Sequence, residues 1–128
     1  MISYVTIGAD DIARAKRFYD AILKPLGHLP IYETSSWLGY GQADGADRPK
    51  IWICNPIDGK PATVGNGSMV SIHCPTPEDV HRWHANGLAA GGVDEGGPGR
   101  RDHYNPRYYI AYLRDPQGNK LSGFCLTP

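Results

Sequence analysis

The chain has 128 residues, 41% of them hydrophobic and 20% charged, which is the size and make-up of one folded domain and excludes a disordered charged tail. Lys plus Arg number 13 and Asp plus Glu number 13, so the formal net charge is +0. A neutral domain has no electrostatic hold on nucleic acid or an anionic membrane, but it can self-associate.

Ile2–Ile7 is rich in β-formers and alternates, which predicts a strand with Ile2, Val5 and Ile7 on one face and Tyr4 and Thr6 on the other. Its start, Met1-Ile2-Ser3-Tyr4, lacks a basic stretch followed by an apolar run, so no secretory signal is expected. Asp10 and Asp11 are candidate N-caps. Beyond them Ile12, Ala15, Phe18, Tyr19, Ile22, Leu23 and Leu26 recur at three and four spacings, an apolar stripe on a helix that Pro25 and Gly27 end. Short strands are expected near Leu29–Glu33, Ser36–Tyr40 and Lys50–Cys54, with Ala43–Pro49 as a loop. Asn55-Pro56, Asp58-Gly59 and Gly65-Asn66-Gly67 are turn chemistry.

The same order then restarts. Met69–Cys74 alternates as a strand, placing Val70, Ile72 and Cys74 on a helix side and Met69, Ser71 and His73 on the other. Thr76 and Pro77 open a second helix, with Glu78 and Asp79 favourable to its dipole. Val80, Trp83, His84, Gly87 and Leu88 are its expected apolar stripe, and Gly91 and Gly92 close it. The glycine-rich stretch to Gly99 predicts a weak strand or a loop. Tyr108–Leu113 and Lys120–Leu126 are strands joined by the turn Asp115-Pro116-Gln117-Gly118-Asn119. An offset of 65 residues superposes Tyr4 on Met69, Thr6 on Ser71, Arg17 on Arg82, Phe18-Tyr19 on Trp83-His84, Leu23 on Leu88 and Gly27 on Gly92. The chain is therefore expected to be α+β, a single domain of two βαβββ repeats, about 1–62 and 67–128, in a cupped mixed sheet with helices outside.

Alternation lines the cup with Tyr4, Thr6, Trp52, Met69, Ser71, His73, Ser122 and Phe124, an aromatic and mildly polar set suited to a small molecule with a planar body. Arg101, His103 and Tyr104 form a polar run at its rim, where an arginine fork holds a carboxylate or phosphate. His73 is a candidate general base. His81 and His84 stand three apart on the second helix and could share a face for zinc, but the repeat puts His84 on Tyr19 of the buried stripe and His81 on exposed Lys16, which favours packing and solvent. Tyr104, Tyr108, Tyr109 and Tyr112 suggest an aromatic wall, explained equally by sheet packing or a dimer surface. Cys54, Cys74 and Cys125 form no disulfide framework and suit buried thiols in a reducing cytoplasm.

The paired βαβββ pattern, the helix AKRFYDAILKPLG (Ala15–Gly27), the Gly65-Asn66-Gly67 link and the Arg107–Cys125 ending (YYxAYxRDPxGNxxxxxC-like) resemble the vicinal-oxygen-chelate superfamily: glyoxalase I, bleomycin-resistance proteins and extradiol dioxygenases. The resemblance covers the whole chain and is nearest to small bacterial glyoxalase-like proteins. It implies a homodimer and a divalent metal held by a His early in each module and a late Glu, the metal stabilising an enolate or enediolate. Here those positions carry Tyr4, Met69 and Ser122, with Trp52 at the corresponding fourth-strand position. A phenol, a thioether and a hydroxyl are poor ligands for such an ion, so no metal cofactor is expected. The expectation is a metal-free small-molecule binder. The alternative is a lyase, isomerase or dioxygenase of the glyoxalase type holding a metal through His73, His103 or a residue of a partner chain.

Overall fold

The computed structural model describes residues 1–42 and 48–128. The first module runs β1 (Val5–Gly8), α1 (Ile12–Leu23) with a 3-10 turn at Lys24–Leu26, β2 (His28–Glu33), β3 (Trp37–Gln42) and β4 (Ile51–Cys54). The second runs β5 (Val70–His73), α2 (Pro77–Ala89), β6 (Val93–Arg101), β7 (Asn105–Arg114) and β8 (Lys120–Leu126). The two βαβββ modules are present, and each has its own four-stranded sheet, ordered β1-β4-β3-β2 and β5-β8-β7-β6. In each, the first strand runs parallel to the last and the other pairings are antiparallel. The expected loop Ala43–Pro49 falls mostly on residues 43–47, outside the described residues.

Local chemistry accounts for the helices. The Asp11 carboxylate accepts from the Arg14 amide at 2.9 Å and caps α1. Thr76 and Asp79 form a reciprocal capping box at α2, with Pro77 at its first turn. Gly27, at φ 86, supplies the left-handed residue that ends the 3-10 turn.

Both helices contribute to one core. Phe18, Tyr19, Ile22 and Leu23 from α1 meet Val80 and Trp83 from α2, over Leu38, Tyr40 and Ile53 of one sheet and Ile72, Leu113 and Leu121 of the other. At the seam α2 approaches closely at Gly87. A Cβ there would run into the Leu113 side chain and lie 3.3 Å from Ile22.

Two expectations need correction, and a third, left open between a weak strand and a loop, resolves as a strand. Leu88 is 41% exposed, because the buried face of α2 is Val80, Trp83 and Gly87, and Leu88 lies about 100° round from Gly87. The first strand begins at Val5 rather than Ile2: the Val5 amide donates to the Lys50 carbonyl, and the Lys50 amide, which would make the next rung back, donates to the Tyr40 carbonyl of β3 instead. Ile2 is accordingly exposed instead of packed on the helix. The glycine-rich stretch is a full strand, β6, broken in register between Asp94 and Gly96, Gly96 and Gly99, and Arg100 and Arg101.

Candidate functional site

Each sheet has a helix side and an open face. In the first module Val5, Ile7, Ile51 and Ile53 turn toward the helix, and Thr6 and Trp52, paired across β1 and β4, turn to the open face. Trp52 lies down against β3 because residue 39 is glycine, where a Cβ would sit 2.8 Å from Trp52 Cζ3 and 2.8 Å from Pro49 Cγ. Two further rings stand nearly edge-on to it, Tyr32 at 5.2 Å and Trp37 at 5.7 Å between centroids. The sequence reading found Trp52 but missed Tyr32 and Trp37. Their signal was the register: Trp37 shares a face with Gly39, and Tyr32 is paired with Gly39.

In the second module the open-face row is Ser71, Ser122, Tyr112 and Gly96, followed by His73, Phe124, Ile110 and Gly99. Ser122 is only 1% exposed, and its hydroxyl donates to Ser71 Oγ at 2.8 Å. Phe124 and Tyr108 meet at 5.0 Å in a T-shaped pair. Tyr109 faces the helix side, where its hydroxyl shares a 2.7 Å hydrogen bond with His81 Nε2. His84 Nε2 instead lies 2.9 Å from Asp94 Oδ1, a hydrogen bond that holds the Asp94 carboxyl below its usual range. His81 and His84 therefore serve different partners.

The candidates do not share one hollow. Thr6 and Met69 meet at the module junction, in a hollow of about 190 Å³ with Thr63, Ser68, Asn119 and Lys120. Ser71 and His73 line a second, of about 220 Å³, with His28, Tyr40 and Ile51; burial lowers the basicity of His28. Tyr4 belongs to an open groove with Arg48 and Pro49. Arg101 turns inward onto the sheet, while His103 and Tyr104 stack on each other at 4.1 Å on the exposed tip between β6 and β7. The expected rim cluster is thus divided, and the tyrosine wall reduces to Tyr108 and Tyr112.

The family model of the Glyoxalase/Bleomycin resistance protein/Dioxygenase superfamily matches residues 1–122. The chain belongs to this superfamily. It is similar, at 40% identity over 95% of both chains and a TM-score of 0.83, to a glyoxalase/bleomycin resistance protein from Albidiferax ferrireducens T118. At 19% identity it has the fold of a glyoxalase/bleomycin resistance protein/dioxygenase family enzyme from Burkholderia phytofirmans PsJN (98% of each chain, TM-score 0.73). Also at 19% identity it has the fold of a lactoylglutathione lyase from Agrobacterium tumefaciens (97% of this chain, 92% of that one, TM-score 0.66). No curated protein matches its sequence.

For this glyoxalase-superfamily chain, the residues at the positions where the resemblance implies metal ligands do not suit a hard divalent ion. Tyr4 lies outside the β1 ladder and is 59% exposed, and Met69 offers a thioether and is 45% exposed. Ser122 directs its proton to another neutral hydroxyl, Ser71. In the same register, Thr6 and Trp52 give the first module one hydroxyl and one indole. None of these groups is an imidazole or a carboxylate.

Proposed function

We propose that this superfamily member binds a small organic molecule with a planar apolar body on the open faces of its sheets, without the metal site of its relatives, as a cytoplasmic homodimer. The observation that carries the reading is the aromatic trio Trp52, Tyr32 and Trp37, two of whose rings are exposed and which is seated on a glycine-floored face. Exposed rings in contact are a ready stacking surface for a flat guest. The donor chemistry at Tyr4, Met69 and Ser122 supports the absence of a metal. Three buried free thiols suit a reducing compartment. Zero net charge favours self-association.

The test is tryptophan fluorescence with a planar neutral probe, 2-naphthalenemethanol, alongside total metal in untagged protein. A guest on the trio quenches both Trp52 and Trp37, so wild type is quenched, Trp52→Phe loses part of that quenching, and Trp52→Phe with Trp37→Phe loses nearly all of it, since Trp83 is buried. The metal content is expected to be far below one ion per chain. Quenching undiminished in Trp52→Phe removes Trp52 from the site. Near-stoichiometric nickel, zinc, manganese or iron favours instead the metal-dependent lyase, isomerase or dioxygenase, with His73 on the open face as the nearest ligand candidate.

A further inference from the structure

The open face of the second module has a polar end whose charge is unbalanced. Tyr112 is central to it, with Arg101 Cζ 5.4 Å and Lys120 Nζ 5.2 Å from the centre of its ring. The neighbouring cations are paired: Arg114 with Glu95 at 3.1 Å, and Arg100 with Asp102 at 3.2 Å. Arg101 and Lys120 have no carboxylate partner among the described residues. Arg101 donates instead to the main-chain carbonyls of Gly97 at 2.8 Å and Arg100 at 3.2 Å. A ring face attracts a cation without neutralising it. Two positive side chains on one ring therefore raise the local potential and draw an anion.

The glycines of β6 leave room for this arrangement. A Cβ at Gly96 would lie 2.9 Å from Tyr112 Cδ2, and one at Gly99 would lie 3.2 Å from Arg101 Nη1. A side chain at residue 96 would force the Tyr112 ring to shift, and one at residue 99 would press on the Arg101 guanidinium. Lys120 also lines the hollow at the module junction. One residue row away, Phe124 and Tyr108 supply an apolar floor.

We infer that this face binds an amphiphilic carboxylic acid, its carboxylate held by Lys120 beside Arg101 and its apolar body lying over Phe124. Arg101 has already committed two N–H groups to main-chain carbonyls, which leaves Lys120 as the main donor and suits a monoanion. The inference rests on the reading that the open faces take a small molecule, and it places the acid on the second module's face rather than on the Trp52 trio.

Isothermal titration calorimetry on the full chain, with 2-naphthoate and 2-naphthalenemethanol as probes of equal ring size, tests it. Wild type binds the carboxylate about tenfold more tightly than the alcohol, the scale of one charge-assisted contact. Lys120→Gln abolishes that preference and leaves the affinity for the alcohol unchanged; Arg101→Gln reduces it. A matching urea midpoint for each variant shows that the fold is retained. Equal affinities in wild type, or a preference that survives in both variants, overturn the carboxylate subsite and leave the small-molecule reading standing. Binding of neither probe overturns both.

Discussion

Trp83 shows how one position can depend on what lies under it. Its ring is 2% exposed and covers Gly123 of β8, where a Cβ would sit 2.7 Å from Trp83 Cε3 and 2.8 Å from Cδ2. Neither the indole nor the strand has room to give way in a close-packed interior. Gly123→Ala is therefore expected to destabilise the chain by about 1–3 kcal/mol, an overpacking cost. Urea denaturation measures it, and a midpoint equal to wild type counts against the packing account. Alternation had placed Leu121, Gly123 and Cys125 on the helix side, and all three are buried there. It could not reveal that the glycine is the seat of a tryptophan 40 positions earlier, because that contact depends on how α2 crosses the sheet.

Among the elements, α1 is tied to its sheet by a charge as well as by its apolar stripe. The Tyr40 hydroxyl of β3 donates to Asp20 Oδ1 at 2.7 Å, and Lys16 Nζ donates to Asp20 Oδ2 at 2.7 Å. Lys24 stands 3.4 Å from the same oxygen. Burial by itself raises the Asp20 pKa, but the hydrogen bonds from Lys16 and Tyr40 and the charge of Lys24 outweigh it, so the net shift is downward. A depressed carboxyl contributes stability above its unfolded value of about 3.9, and that stability is lost as pH falls through the lower folded value. Wild type is thus expected to exceed Asp20→Asn in urea midpoint at about pH 6, with the gap closing toward about pH 2. A gap that stays constant across this range sinks the assignment. Helical spacing leaves Asp20 off the apolar stripe of α1; its role as an anchor needed Tyr40, which is distant in sequence and adjacent only after β3 has docked.

For the molecule as a whole, the turn between β7 and β8 clasps the first module. Asp115 Oδ1 accepts from the amides of Gln117, Gly118 and Asn119, each at 2.9 Å, and Asp115 Oδ2 accepts from the Tyr19 hydroxyl of α1 at 2.5 Å. Asn119 Nδ2 donates to the Gly8 carbonyl at 2.9 Å, and Gln117 exchanges hydrogen bonds with Asp10. The Asp-Pro-Gln-Gly-Asn segment read as a turn from sequence is therefore also a joint between the repeats. Asp115→Ala strands the fully buried Tyr19 hydroxyl and several amides, and an unsatisfied buried donor costs about 1–3 kcal/mol. The expected loss is at least about 3 kcal/mol, visible as a large drop in thermal midpoint. A drop no larger than that of Gly123→Ala would show that the joint carries little of the stability.

Periodicity and punctuation by themselves determined the element order, the repeat and the two faces of most strands, since these depend on residues close in sequence and on which side of a pleat meets water. The family resemblance, read residue by residue, adds the expectation that phenol, thioether and hydroxyl stand where metal ligands would be. Only the tertiary structure decided which open-face residues meet. It set Tyr32 and Trp37 around Trp52, turned Arg101 inward beside Lys120 and Tyr112, and left His103 and Tyr104 at the tip. Those neighbours depend on strand register, bulges and glycine-made clearances, which arise from contacts between distant segments and leave no local pattern in the chain.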